Sequence, residues 1–108
     1  MSNKVILVVL DGLNYQVARD CMGYLNGLLE QQRATLYPVQ CELPSMSRPL
    51  YECILTGVRP VDSGIVNNNI VRLSNQDSIF SLAKSQGKVT AAAAYHWVSE
   101  LYNSAPYN

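Results

Sequence analysis

The sequence predicts an α/β fold, a largely parallel sheet with helices on both faces. Residues 5–10 form an unbroken apolar run rich in β-branched side chains, which is typical of a strand covered on both faces in such a sheet. Residues 14–32 follow with apolar side chains at three- and four-residue spacing, the pattern of an amphipathic helix. Because strand-like and helix-like segments go on alternating, we expect helices layered against one sheet.

The later elements are predicted from composition and from the residues that end them. Residues 34–41 have strand-like composition, and Pro38 within them indicates an edge or a bulge. A short helix is expected from about residue 48 to residue 56, stopped by Gly57. The remaining elements expected are a loop over 59–64, an amphipathic helix over 78–86, a strand of small residues over 89–95 and a helix over 96–102.

Length and charge limit the class of protein. A chain of 108 residues is enough for one domain with a modest core, and 48% apolar with 15% charged residues is a globular composition. The formal net charge is zero, so we expect neither a nucleic acid polymer nor an anionic membrane as a partner. The apolar run at 5–10 is too short to span a bilayer and ends on a carboxylate, unlike a signal peptide.

Cysteine usage predicts a reducing compartment. Cys21, Cys41 and Cys53 are odd in number and form no closely spaced pair, which favours free thiols in the cytoplasm over disulfides or a zinc knuckle. The chain ends in a loop soon after a predicted strand that would need further partners. We therefore expect residues 1–108 to be a single domain that is the amino-terminal part of a longer catalytic domain, and pairing through an exposed sheet edge would give a homodimer.

Ser47 is the first candidate for chemistry. It precedes Arg48 and Pro49, and proline is well tolerated in a first helical turn, so the hydroxyl is expected at a helix N-terminus. That position favours negative charge and suits both a serine alkoxide and an incoming phosphate. Serine needs activation, which a divalent metal can provide. The alternatives are that Ser47 is an ordinary N-cap and that nearby Ser45 is the relevant hydroxyl.

Three further side chains have both a functional and a structural interpretation. Asp11 follows the first predicted strand, where α/β sheets bind ligands, and it could hold a divalent cation or merely shape the turn. Arg48 could bind a substrate phosphate in a bidentate manner or lie on the surface. His96, the single histidine, could line a pocket, although a hydrogen-bonded structural role is favoured.

Two segments resemble the alkaline phosphatase superfamily, in particular its nucleotide pyrophosphatase and phosphodiesterase branch. The stretch LPSMSRPLYECILTGVRPVDSGIVNN, residues 43–68, resembles the nucleophile segment of that branch, and Ser47 falls on the nucleophile. The stretch VVLDGL, residues 8–13, resembles the first strand, and Asp11 falls on the first metal ligand. Asn68 falls on the asparagine whose amide contacts a phosphoryl oxygen.

The resemblance implies a hydrolase of small-molecule phosphodiesters or nucleotide pyrophosphates that works through a phosphoserine intermediate. It also implies two divalent metal ions, with zinc expected, for which Asp11 and Ser47 would be ligands. The other Asp and His ligands of the superfamily are not matched, because this chain has one histidine, so we expect the 108 residues alone to be inactive.

Two alternatives stay open at this point. The first is a sulfatase or phosphonate hydrolase of the same superfamily. Sulfatases convert the residue at this place to formylglycine and need an arginine two positions beyond the proline, where this chain has Tyr51, so unmodified serine is favoured. The second is a non-catalytic α/β interaction module in which Asp11 and Ser47 are caps.

Overall fold

The computed structural model describes residues 3–104, and its regular elements in that range are all helices. In chain order they are α1 (Tyr15–Cys21), α2 (Gly23–Glu30), α3 (Ser47–Thr56), α4 (Pro60–Ser63), α5 (Ile79–Ser85) and α6 (His96–Tyr102). The chain divides into two compact units, Met1–Gln40 and Cys41–Asn108, each of which is described by itself.

The predicted parallel sheet is wrong, because residues 3–104 contain no strand. The run at 5–10, expected to be covered on both faces, is exposed, with 89% of Val5 and 87% of Ile6 accessible. The runs at 34–41 and 89–95 likewise form no strand. Composition of this kind favours extended backbone, but a strand exists only where a neighbouring segment supplies a ladder of hydrogen bonds, and no described segment does so.

The first unit contains α1 and α2 where one helix was predicted over 14–32. The side chain of Asn14 caps α1 by accepting hydrogen bonds from the backbone N–H groups of Gln16 and Val17 at 2.8 and 3.3 Å. The helix is interrupted at Met22, whose φ of −94° and ψ of 79° are not helical. Gly23 follows directly and has a low helix propensity, which weakens the chain's preference for helix at this point.

The second unit is organised around α3, which lies within one residue of its predicted bounds. Met46 is extended, the helix begins at Ser47, and Gly57 ends it in the left-handed region with φ 73°. The segment predicted as a loop over 59–64 contains α4 instead, because Pro60 fits the first position of a helix. Both α4 and α6 pack against α3.

The helices α5 and α6 confirm the two helices predicted in the last third of the chain. Ser78 and Ser81 cap α5 reciprocally, since the Ser78 hydroxyl accepts from the backbone of Ser81 at 3.2 Å and the Ser78 backbone donates to the Ser81 hydroxyl at 2.9 Å. The ring of Phe80 on α5 lies 5.7 Å from the ring of Tyr102 on α6. The two helices therefore meet through aromatic contact.

The core of the second unit is unusually polar. Its buried aliphatic side chains are Leu55, Ile65 and Leu101. The buried polar and charged residues are Arg48, Glu52, Ser63, Ser78 and Glu100. Most protein cores bury few charges, and those they bury are paired, so the partners of these residues decide how α3 is held.

Candidate functional site

Ser47 is the first residue of α3 and is half-buried. The N-cap of the helix is Met46, which provides no capping side chain, so Ser47 does not occupy the capping position that the structural interpretation assigned to it. Its place in the first turn of a ten-residue helix is near the positive end of the helix dipole. A serine in this position can have negative charge on its oxygen stabilised by the helix.

Asn68 lies beside this helix N-terminus. Its Oδ1 accepts a hydrogen bond of 2.9 Å from the backbone N–H of Arg48, the residue after Ser47. The side chain of Asn68 thus satisfies one of the N–H groups that a helix start leaves without an intrahelical partner. Because the carbonyl oxygen of the amide is used in this way, the amide nitrogen of Asn68 is the group available as a donor. Two of the predicted site residues, Ser47 and Asn68, are therefore brought together.

The side chain of Arg48 is buried, with 3% of it exposed, and it is held from three directions. Its Nη1 donates to the backbone carbonyl of Ile70 at 2.9 Å. The same nitrogen lies 2.9 Å from Oε2 of Glu100 on α6, whose side chain is 9% exposed. The guanidinium carbon stands 4.5 Å from the ring centroid of Trp97, a cation–π contact. Arg48 thus joins α3 to both the 68–70 segment and α6.

A second polar contact joins α3 to α6 one helical turn further on. The hydroxyl of Tyr102 donates to Oε1 of Glu52 at 2.6 Å, and Glu52 has no exposed surface. Burial, followed by the hydrogen bond to Glu52 and the charge of that carboxylate, raises the pKa of Tyr102. The tyrosine therefore stays protonated and acts as a donor to Glu52.

Asp11 lies in the first unit, exposed, at a turn in which Gly12 has φ 75°. It and Ser47 supply two oxygen donors, fewer than the four ligands that zinc takes in proteins. No group of three or more His, Cys, Asp and Glu side chains that could hold a metal is found among residues 3–104. These residues by themselves do not fit a complete metal site, and the convergence of Asp11 and Ser47 on one cation stays a prediction.

His96 and Cys53 are two further side chains to consider as reactive groups. His96 begins α6, and its ring lies 4.3 Å from the ring of Tyr95. Burial, with smaller contributions from Glu42 and Cys41, raises the pKa of the Cys53 thiol, which disfavours the reactive thiolate. The hydroxyls of Ser47 and Ser45 remain as candidate nucleophiles.

Sequence reasoning did not single out the residues of the two contacts that join α3 to α6: Glu52, Trp97, Glu100 and Tyr102. A signal was available, because Arg48, Glu52 and Leu55 have i, i+4, i+7 spacing, and Trp97, Glu100 and Leu101 have i, i+3, i+4 spacing. On each helix the charged residues thus share a face with a core leucine. Their pairing becomes evident only once α3 and α6 are known to be neighbours.

Comparison with known proteins assigns the family. The family model of type I phosphodiesterases and nucleotide pyrophosphatases matches residues 5–105, which include Asp11, Ser47 and Asn68. No curated protein and no solved structure matches the chain. Within residues 3–104, none of the helices has the length and apolar character needed to cross a membrane. The match covers nearly the whole sequence, and the chain therefore belongs to the type I phosphodiesterase/nucleotide pyrophosphatase family.

Proposed function

We propose that this chain carries the nucleophile of a phosphodiester or nucleotide pyrophosphate hydrolase, and that Ser47 is that nucleophile. The observation that carries the proposal is the placement of Ser47 at the start of α3 with the Asn68 side chain bonded to the next backbone N–H. Family membership gives the reaction class, phosphoester hydrolysis. The local geometry supplies a hydroxyl, a helix dipole and an amide donor at one place.

In the proposed reaction the Ser47 oxygen attacks phosphorus in line with the leaving group. The bond between Oγ and phosphorus forms as the bond to the leaving group breaks, and the hydroxyl proton ends on the departing oxygen. Water then hydrolyses the phosphoserine, its oxygen bonding to phosphorus and one of its protons restoring the hydroxyl. The amide nitrogen of Asn68 donates to a phosphoryl oxygen, and the N-terminal end of α3 stabilises the negative charge. Such stabilisation is most effective from groups that are positioned before substrate arrives, and the bond of the Asn68 side chain to the backbone of Arg48 supports this role.

Arg48 has a different part in this proposal from the substrate contact predicted from sequence. Its guanidinium is already engaged by Glu100, by the carbonyl of Ile70 and by Trp97, and it is 3% exposed. This burial supports a role in holding Asn68 next to Ser47 rather than in binding a substrate phosphate. An arginine that holds two segments by fixed hydrogen bonds suits that role, because its donors are rigidly arranged.

The two divalent ions implied by the resemblance are part of the proposal as well. Asp11 and Ser47 would each give one oxygen to such an ion, and a carboxylate with an alkoxide is a suitable pair of donors for zinc. A bound cation would lower the pKa of the serine hydroxyl and offset charge on the phosphoryl group. The remaining ligands would come from outside residues 3–104.

The direct test compares two serines in the same segment of the complete gene product. Ser47→Ala is expected to lower turnover of bis(p-nitrophenyl) phosphate by at least about 10³-fold, as removal of a nucleophile does in other hydrolases. Ser45→Ala removes the neighbouring, exposed hydroxyl and is the matched control, with turnover expected to stay within about twofold of wild type. Loss of activity in Ser45→Ala but not in Ser47→Ala would move the nucleophile to Ser45.

The chemical identity of the intermediate separates this proposal from the sulfatase alternative. Acid quenching during turnover followed by mass spectrometry is expected to find phosphate on the peptide that contains Ser47. Formylglycine at that position in the resting protein would instead establish the sulfatase alternative. A Ser47 peptide that is neither phosphorylated during turnover nor modified at rest would contradict a serine-based mechanism.

A further inference from the structure

Arg48, the residue after Ser47, bonds directly to the segment that contains Asn68. The backbone N–H of Arg48 donates to Oδ1 of Asn68, and its Nη1 donates to the carbonyl of Ile70, two residues further along the same segment. One arginine therefore holds the 68–70 segment at two points, one beside each end. Since Arg48 is the next residue after Ser47, any shift of Arg48 moves the serine and the asparagine relative to each other.

Arg48 is in turn held by α6. Glu100 places its carboxylate oxygen 2.9 Å from Nη1, the same nitrogen that reaches Ile70, and Trp97 covers the guanidinium at 4.5 Å. The carboxylate and the indole lie one turn apart on the same helix. A buried guanidinium needs a compensating charge, and among residues 3–104 the carboxylate recorded in an ion pair with it is that of Glu100.

We infer that Glu100 is a positioning residue for the hydrolytic site: through Arg48 it fixes the distance between the Ser47 hydroxyl and the Asn68 amide. This inference rests on the proposed function. Glu100 itself is buried and does not contact the substrate. Its effect is exerted through the guanidinium that it orients, so its removal is expected to affect the chemical step more than substrate binding.

The Glu52–Tyr102 hydrogen bond provides an internal comparison. It also joins α3 to α6, but it lies one turn further from Ser47, and its hydrogen bond involves neither Asn68 nor Ile70. If α6 mattered to catalysis only by keeping α3 folded, breaking either contact would have the same effect on turnover. If Glu100 positions the site, only the contact through Arg48 will alter turnover of the folded enzyme.

The experiment measures kcat and KM of the complete gene product with bis(p-nitrophenyl) phosphate, well below the unfolding temperature of each variant. Glu100→Gln keeps the size of the side chain and removes its charge. It is expected to lower kcat about 10- to 100-fold and to leave KM within about twofold of wild type, because a displacement of the reacting groups near 1 Å can lower the rate by a factor of 10². Tyr102→Phe is the matched control, with kcat expected to stay within about twofold of wild type.

A double-mutant cycle tests whether the effect passes through Asn68. In the Asn68→Ala background, Glu100→Gln is expected to change kcat by less than about threefold, because the group that it positions is absent. An undiminished loss of kcat in that background would overturn the inference, as would a Tyr102→Phe variant that loses kcat as much as Glu100→Gln. Wild-type kcat in folded Glu100→Gln would overturn it too.

Arg48→Lys keeps the inference testable if Glu100→Gln does not fold. Lysine keeps the positive charge opposite Glu100 and the backbone N–H to Asn68, but its ammonium cannot reproduce the planar fork of arginine. A kcat lowered by about tenfold or more is expected, and an unchanged kcat would contradict the inference. Ser47→Ala separates the two proposals. If Ser47→Ala is active, the proposed function is wrong. If Ser47→Ala is inactive but Glu100→Gln has the kcat of wild type, only the positioning role of Glu100 is wrong.

Discussion

Removing the carboxylate of Glu100 is expected to destabilise α3 strongly. The side chains of Arg48 and Glu100 are 3% and 9% exposed, so Glu100→Ala leaves a buried guanidinium without its compensating charge. Breaking one side of a buried ion pair costs about 3–5 kcal/mol, a large part of the 5–15 kcal/mol that stabilises a typical domain. At about 1.4 kcal/mol for each factor of ten, the local opening equilibrium of α3 should rise by about 10²- to 10⁴-fold.

Hydrogen exchange of the peptide that spans residues 47–56 measures this opening directly, and it can be followed in the complete gene product. The matched comparison is the double variant Arg48→Met with Glu100→Leu, which removes both charges and refills the space. It should lose only about 1–3 kcal/mol, the cost of leaving the carbonyl of Ile70 without its donor. Exchange in Glu100→Ala within about fivefold of wild type, or a double variant less stable than Glu100→Ala, would refute the reasoning.

Three further predictions concern the rest of the structure. Tyr102→Phe should lower the free energy of unfolding by about 1–3 kcal/mol near neutral pH, because Oε1 of Glu52 loses its donor. Since the pKa of Tyr102 is raised in the folded state, the contribution of Tyr102 to stability is complete below its ordinary pKa of 10.0 and declines as the pH rises above that value. In urea unfolding, the free energies of wild type and Tyr102→Phe should therefore differ at neutral pH and converge at alkaline pH. Gly57→Ala should lower the free energy of unfolding by about 1 kcal/mol, because Gly57 has φ 73°. Gly27→Ala, in the interior of α2 with open space around its Cα, should raise it by up to about 1 kcal/mol. Thermal melts in which both variants shift in the same direction would contradict this. Dialysis against a chelator should abolish turnover and added zinc should restore it, and full activity in protein that elemental analysis finds free of metal would exclude the predicted metal dependence.

The sequence was sufficient to predict α3, α5 and α6 because their signals are local, whereas the segment that contains α4 was predicted as a loop. Pro49 and Gly57 delimit α3, and Ser78 caps α5 with a partner three residues away. Strands are not marked by local residues in this way. The run at 5–10 has the composition of a buried strand, but its structure depends on which other segment lies beside it, and composition does not contain that information.

The candidate site residues that could be predicted from the sequence are those that lie in one continuous segment of the chain. Ser47 and Asn68 both lie in the stretch that resembles the family's nucleophile region, and the structure places them together. Arg48 was predicted as a substrate ligand, because arginine binds phosphate in a bidentate manner, or as a surface residue. What buries it is Glu100, fifty-two positions away along the chain, and no feature local to Arg48 indicates that partner.

The polar character of the core is the physical reason why we expect these distant partners to matter for the proposed function. Apolar contacts are non-directional, so a helix held only by Leu55, Ile65 and Leu101 could shift along its neighbour with little change in buried area. The ion pair of Arg48 with Glu100 on α6 resists such a shift, because an unpaired buried charge is costly. On the inference drawn above, this pair fixes the first turn of α3 against α6, and with it the position of the first residue of α3, Ser47. An equally stable apolar replacement would keep the helix folded, but it would not hold that serine at a defined distance from Asn68.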